Sequence, residues 1–441
     1  LYERLRDYQK SAVAFALTQR GVGLFCDPRT GKTWIALAIA EQLEPQDILA
    51  VVPLTNKFST WAKWIKEFLP GYELCTTLEE FKAARNKKRF FLAHYEQLPG
   101  LAKKLQRVRW GLVILDESQR IKARASGQSR NLRRFRHVEH RVALSGTPMD
   151  DSEIDLWGQM RFIEPTALSE RWADFDQRFL TRTGFMGYGR KFRSDRKEEF
   201  YQSIKPYCLR VTRDVADIPE PTLHWCEVNL FGRQRRVYDD LEQDWLVTID
   251  RIRIEAAMEI TKRVKLQQIV NGFIFDEDKE VYEVGRAKLR KLRYLLTHRL
   301  AQPAVIFCQY LPEVDMIREE CLKFSPRVAV LTGAVKDKGR RRARTELLEA
   351  FQRGEIDYLI CQQKTGGVGI DLFRARNGVM FSFNESWIDF DQTKSRMDLP
   401  GVEPPDLFLI VARNTIDDAK REAVMFKRTL TEVVLNKFKR R

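Results

Sequence analysis

The order in which apolar runs alternate with helical patterns constrains this chain more than any other feature. GVGLF (21–25) is a continuous apolar run of buried-strand length, and CDPRTGKT (26–33) follows it directly. TWIALAIAEQL (33–43) then has helical spacing, and DILAVVP (47–53) resumes as a strand, with YQKSAVAFALTQ (8–19) a helix ahead of them all. This is how a parallel sheet with covering helices is written. RFFLAHY (89–95), WGLVILDE (110–117) and HRVALSGTP (140–148) continue the rhythm, each ending in polar or small residues. Functional loops of such sheets lie at the carboxyl ends of the strands, so these endings are expected to converge on one crevice.

Between 152 and 220 the rhythm changes to DLWGQMRFI and then to GFMGYGRKFRSDRKEEF, polar and glycine-bearing like a mobile loop, and 231–272 reads as long charged helices. A second α/β series follows. KLRKLRYLL (288–296) is a helix, PAVIFCQY (303–310) a strand, VDMIREECLKF a helix and RVAVLTG (327–333) a strand, with a basic helix and the strands YLICQ (358–362), NGVMFSF (377–383) and DLFLIVA (406–412) after them. A chain of 441 residues exceeds what one core sustains. The expected architecture is α/β with two tandem parallel-sheet domains and helical insertions: 1–220, with a helical protrusion near 152–210, and 221–441, preceded by a helical insertion near 231–280.

Gly31, Lys32 and Thr33 open a helix directly after a buried strand. That context supplies amide donors at a positive helix end, a cation for β and γ phosphates, and a hydroxyl for Mg2+. In LVILDE, Asp116 is placed to hold Mg2+ with Thr33, and Glu117 to orient or deprotonate a water.

With these residues in view, the chain resembles the Swi/Snf-related motors of helicase superfamily two, which have two RecA-like lobes, and the resemblance covers nearly its whole length. LRDYQKSAV (5–13) is similar to the opening adenine-recognition motif, with Gln9 on the base edge and Arg6 nearby. CDPRTGKT is similar to the family's phosphate loop, with Asp27 retained and Thr30 in the first glycine's place. DESQR (116–120) resembles the DExH-type box, with Gln119 in the histidine place, and SGTPM (145–149) the motif that couples hydrolysis to lobe movement. VVPLTNKFSTWAKWIKEF (51–68) is similar to a motif facing nucleic acid, and CLRVTRDVADIPEP (208–221) to the stretch leading out of the first lobe. KTGGVGIDL (364–372) and DQTKSRMDLPG (391–401) fall in family order.

The resemblance implies catalysis by Lys32, Asp116, Glu117 and Arg396, and cofactor contacts from Arg6, Gln9, Asp27, Thr30, Gly31, Thr33, Gln119, Gly369 and Asp371. It implies nucleic-acid contacts from Asn56, Thr60, Trp61, Thr365, Gly366, Gly367 and Trp387. The cofactors implied are ATP and Mg2+, and the activity is ATP-driven travel along double-stranded DNA without strand separation, in repair, recombination or replication. The family's last motif holds two arginines three apart; Arg396 fills the first place and Leu399 stands in the second. An arginine finger is worth about 10³–10⁵ in rate where one is used, so an ATP-gated DNA binder with weak or no turnover is the alternative reading. An RNA-directed ATPase of the same superfamily is a further one.

A net charge of +16 favours a polyanionic partner. The seven cysteines form no CxxC pair and no histidine stands at ligand spacing, so neither zinc nor a disulfide framework is expected. No apolar run reaches the ~20 residues of a membrane span. The expectation is a compact bacterial or phage-like monomer in the cytoplasm or at the nucleoid (the host cytoplasm if viral), with room for targeting protein partners.

Overall fold

The computed structural model describes the chain except for residues 151, 184–188, 245, 250–251, 256–257, 333–337, 364–371, 399–402, 437 and 439–441. The chain divides into two compact units, Leu1–Asp217 with Lys427–Arg441, and Ile218–Phe426.

The first unit is built on β1 (Gly21–Cys26), β2 (Asp47–Val52), β3 (Tyr72–Cys75), β4 (Lys88–His94), β5 (Leu112–Asp116), β6 (His140–Ser145), the hairpin β7 (Leu180–Thr183) and β8 (Gly189–Phe192), and β9 (Cys208–Val211). Its helices include α1 (Asp7–Leu17), α2 (Lys32–Leu43), α3 (Lys63–Phe68), α4 (Leu98–Leu105), α5 (Ile154–Ile163), α6 (Trp172–Phe179) and α7 (Lys197–Ile204). Seven strands form one parallel sheet in the order β3-β4-β2-β5-β6-β1-β9. Side chains alternate across it: Phe25 enters one apolar core, and Val22, Leu24 and Cys26 enter the other. Helix α2 is apolar nearly all round, and Ile35 to Ala40 are buried, as expected of a helix central to its layer.

The second unit holds β10 (Thr222–Val228), the hairpins β11 (Leu246–Ile249) with β12 (Ile252–Glu255) and β13 (Phe273–Phe275) with β14 (Val281–Glu283), then β15 (Ala304–Cys308), β16 (Val328–Leu331), β17 (Tyr358–Gln362), β18 (Asn377–Met380) and β19 (Asp406–Ala412). Its helices include α8 (Gly232–Asp244), α9 (Glu259–Asn271), α10 (Ala287–His298), α11 (Leu311–Leu322), α12 (Lys338–Arg353), α13 (Trp387–Lys394) and α14 (Ile416–Asn436), the last running on into the segment that belongs to the first unit. The parallel sheet runs β10-β19-β18-β15-β17-β16. Its strand ends are held by a buried polar network. Lys288 pairs with Asp417 at 2.7 Å, and Glu313 accepts hydrogen bonds from the Ser382 hydroxyl at 2.6 Å and the Gln309 N–H at 2.8 Å. Two parallel-sheet α/β domains in tandem are therefore present, as the sequence rhythm implies.

Several local expectations differ. Part of the segment near 152–210 is core: Leu156 to Ile163 of α5 are all buried, and Trp157, Trp172, Phe175, Phe179 and Phe200 form a continuous aromatic cluster within the first unit. The run 231–272 is interrupted by the β11–β12 hairpin, where LVTI and IRIE are rich in β-branched residues that favour extended backbone. The last residues, assigned from sequence to the second domain, lie with the first. Phe438 is buried there with its ring centroid 5.8 Å from that of Phe25, and its carbonyl accepts from the Arg210 N–H at 3.2 Å.

Gly158 lets α5 lie directly against the carbonyls of Ile121 and Lys122, so a side chain there would meet backbone. Gly158→Ala is expected to lower unfolding stability by about 1–3 kcal/mol in urea melts, because the backbone beneath has no rotamer to yield.

Candidate functional site

The carboxyl ends of β1, β5 and β6 are neighbours in the first sheet, and the polar residues that follow them meet. After Cys26 the chain turns. The Asp27 carbonyl accepts from the Thr30 N–H at 3.3 Å and from Thr30 Oγ1 at 2.8 Å. Pro28 occupies the second place of this turn and Arg29 the third, with φ 71°. A type II turn has this pattern, proline followed by a left-handed residue. The sequence reading put Thr30 in the missing glycine's place. The left-handed positions are instead Arg29 and Gly31 (φ 86°), while Thr30 is fully buried with its hydroxyl turned back onto the loop.

Gly31 caps α2, and the Gln9 side chain fills the space where a Cβ would stand. Gln9 Nε2 and the Tyr8 hydroxyl both donate to the Thr30 carbonyl at 3.0 Å, and Gln9 Oε1 accepts from the Arg6 N–H at 3.0 Å. Arg6 donates to the Ala216 carbonyl at 3.2 Å. The amide of Gln9 thus supports the loop from beneath. Asp27 is also engaged within the protein: its carboxylate accepts from Arg210 at 2.6 Å and from the Arg213 N–H at 3.0 Å. These two donors tie the loop to β9 and to the segment after it. Lys32 and Thr33 begin α2, both half-buried. The Lys32 amine lies close to Gly146 in the loop after β6, where an added Cβ would come within 3.0 Å of it.

Asp116 ends β5 and is buried. Its Oδ2 accepts from the indole N–H of Trp61 at 2.9 Å, its Oδ1 from the Glu117 N–H at 3.1 Å, and its carbonyl from the Tyr95 hydroxyl at 2.7 Å. Burial foremost, then the adjacent Glu117 charge, raises its carboxyl to about 6, against the opposing pull of Lys32 and of the Trp61 hydrogen bond. Glu117 itself sits at φ 53°, a left-handed conformation that costs a non-glycine residue energy and re-aims its side chain. Gln119 Nε2 donates to Glu117 Oε2 at 2.6 Å, and Gln119 Oε1 accepts from the Ser145 hydroxyl at 2.7 Å. Ser145 Oγ in turn accepts from the Thr147 N–H at 3.1 Å. A second tie runs alongside: Ser118 donates to Gln159 Oε1 at 2.7 Å, and the Gln159 amide donates to the Pro148 carbonyl. The loops after β5 and β6 are therefore joined by two glutamine side chains.

Two expected ligand contacts are engaged within the protein. Gln119, expected as cofactor-binding, holds Glu117 and Ser145 through its amide. Trp61, read as a nucleic-acid contact, has 0% exposure, because a π-helical turn over Lys57–Ala62 carries its indole inward to Asp116. Asn56 and Thr60, on the same segment, are half-buried, beside the exposed Phe58.

In the second unit Arg396 is buried, and its carbonyl accepts from the Leu372 N–H at 2.9 Å. Trp387 is 5% exposed and stacked on Phe390 at 5.7 Å, with Lys394 above its ring, so packing rather than a ligand takes its faces. Thr365, Gly366, Gly367, Gly369, Asp371 and Leu399 lie outside the described residues. Sequence reasoning missed Tyr8, Tyr95, Arg210 and Gln159. Tyr95 follows a strand-ending histidine and Arg210 lies in a stretch already singled out, whereas nothing around Gln159 marks it.

Residues 8–279 match the SNF2-related domain, and residues 287–398 the helicase conserved C-terminal domain. The chain belongs to the SNF2-related family. Among its relatives is the putative ATP-dependent helicase/translocase YwqA of Bacillus subtilis, 28% identical over 86% of this chain and 43% of that protein. Another is putative protein p41 of Acyrthosiphon pisum secondary endosymbiont phage 1, 24% identical over 99% of each chain. This SNF2-related chain thus spans less than half the length of YwqA and nearly all of p41. A solved Sulfolobus solfataricus SWI2/SNF2 ATPase core, in complex with dsDNA, aligns with 99% of this chain and 94% of its own at 20% identity and a TM-score of 0.46. No described helix is long and apolar enough to cross a membrane, and no three described His, Cys, Asp or Glu side chains cluster to hold a metal.

Because the carboxyl of Asp116 is raised from 3.8 to about 6, its contribution favours the folded state below pH 3.8 and is lost as pH rises through about 6. In metal-free buffer at pH 8, Asp116→Asn is expected to be more stable than the parent SNF2-related chain by about 1–3 kcal/mol, with the gap closing by about pH 4. Urea melts across that range check the sign.

Proposed function

We propose that this chain is a DNA-dependent ATPase that turns hydrolysis into travel along duplex DNA. The observation that carries the reading is that the Gly31–Thr33 loop follows β1 and Asp116 and Glu117 end β5, the two strands that flank β6, with Glu117 tied to the Ser145 loop after β6 through Gln119. The Gly31–Thr33 amides and the Lys32 amine take the phosphates, as a helix N-terminus with a neighbouring cation does. Glu117, held by Gln119, accepts a proton from the attacking water, a role worth about 10²–10⁴ in rate.

The residues fit Mg2+. Asp116 is a buried carboxylate whose charge is disfavoured until a cation lies beside it, and Thr33 offers a hydroxyl on the first turn of α2. With two such protein groups, the remaining ligands would come from nucleotide oxygens and water. The ion supplies neutralisation of phosphate charge.

Duplex DNA as the track is supported by membership of the SNF2-related family, by the ATP-dependent helicase/translocase name of the relative YwqA, and by a net charge of +16 suited to phosphate backbones. Leu399, in the place of an expected arginine, favours a second reading in which ATP gates DNA binding with little turnover.

Steady-state ATP hydrolysis with duplex DNA, single-stranded DNA and RNA separates these. Stimulation of about tenfold or more by duplex is expected, with Glu117→Gln losing about 10²-fold or more while keeping ATP binding. Equal or greater stimulation by RNA would overturn the duplex assignment. Absence of turnover, with recovery in Leu399→Arg, would establish the gated binder.

A further inference from the structure

Helix α5 holds the loops after β5 and β6 with polar side chains set in an apolar surround. Gln159 has 0% exposure, on a helix whose Trp157, Met160 and Phe162 are all buried in the first unit's core. Its amide is nonetheless satisfied. Oε1 accepts from the Ser118 hydroxyl at 2.7 Å, and Nε2 donates to the Pro148 carbonyl and, at 3.3 Å, to the Asp155 carbonyl one turn back. The same helix grips both loops a second time: Asp155 Oδ2 accepts from the Asp150 N–H at 2.8 Å, and Lys122 Nζ lies 3.5 Å from Asp150 and 3.7 Å from Asp155. A buried amide loses its hydration, so it is tolerated only where its partners are held in place. Here one partner lies within the motif that carries the expected base, because Ser118 stands between Glu117 and the Gln119 that binds it.

We propose that Gln159 is a positioning residue for ATP hydrolysis: by fixing Ser118 against the Pro148 loop, it sets the aim of the Glu117 carboxylate at the attacking water without touching the nucleotide. This rests on the ATPase reading above. Its hydrogen bonds run to Ser118, Pro148 and Asp155, and none runs to the Gly31–Thr33 loop, so nucleotide binding and water activation are separable through it. A misplacement of about 1 Å at a reacting group can cost about 10²-fold in rate while binding persists.

The test measures ATP affinity by calorimetry, kcat with duplex DNA, and melting temperature for the parent chain, Gln159→Leu, Ser118→Ala, the double variant and Glu117→Gln, the parent being the faster of the wild type and Leu399→Arg. In Gln159→Leu and in Ser118→Ala, kcat is expected to fall about tenfold or more, with ATP affinity changed less than about threefold. Both substitutions remove one tie, so the double variant is expected to fall no further than the slower single variant. A Gln159→Leu protein that keeps kcat within about threefold of its parent, whatever its melting temperature, overturns the proposal and leaves the ATPase standing. Equal loss of ATP affinity and kcat, or losses that multiply in the double variant, overturns it too. Should Gln159→Leu fail to fold, Ser118→Ala decides by the same split between kcat and affinity. Glu117→Gln turning over as fast as its parent, or a parent with no turnover, would overturn the ATPase reading itself, and the proposal with it.

Discussion

A carboxylate buried at the end of a central strand is the constraint around which the first unit's strand ends are arranged. Asp116 has little water to stabilise its charge, so the protein supplies donors: the Trp61 indole, the next backbone N–H, and the field of Lys32. These are not enough to restore an ordinary carboxyl; under the proposed function a divalent cation would supply the missing charge. The arrangement explains why a tryptophan on a surface-facing segment is turned inward. Removing its N–H would leave a buried acceptor without that partner.

From that anchor, order passes outward through short polar side chains. Glu117 is placed by a strained backbone and then held by Gln119, whose other end reads the position of Ser145. Gln159 joins the same two loops through Ser118 and the Pro148 carbonyl. Buried amides of this kind are satisfied only when both loops are in register, so the state of one loop is a condition on the other. The second unit solves its own version of the problem with charges. Lys288, Asp417 and Glu313 lock the strand ends there, and burial brings the nearby Lys420 down to about 8.

The fold was legible because both sheets are parallel and buried on two faces, so their strands are continuous apolar runs such as GVGLF and LVILD with helical patterns between them. The edge strands CLRV and TLHWCEV were not legible, because they carry mixed residues and are strands through their pairing with β1 and β19, whereas the apolar edge strand β16 was. At the site, residue types told which chemistry was present but not which way each side chain faced. Asp27, Gln119 and Trp61 were all expected at ligand, yet each holds another part of the protein: Asp27 pairs with Arg210, Gln119 with Glu117 and Ser145, and Trp61 with Asp116. The missing glycine was visible as an absence, but the left-handed place is that of Arg29, after Pro28, and not that of Thr30.

The central claim is that the buried carboxylate of Asp116 is poised for the metal that accompanies a nucleotide. ATP affinity measured by calorimetry with Mg2+ and with EDTA, in the wild type and in Asp116→Asn, tests it most directly. Mg2+ is expected to tighten ATP binding to the wild type by about tenfold or more and to do little for Asp116→Asn, a difference of about 1.4 kcal/mol or more. An equal gain from Mg2+ in both proteins would contradict it.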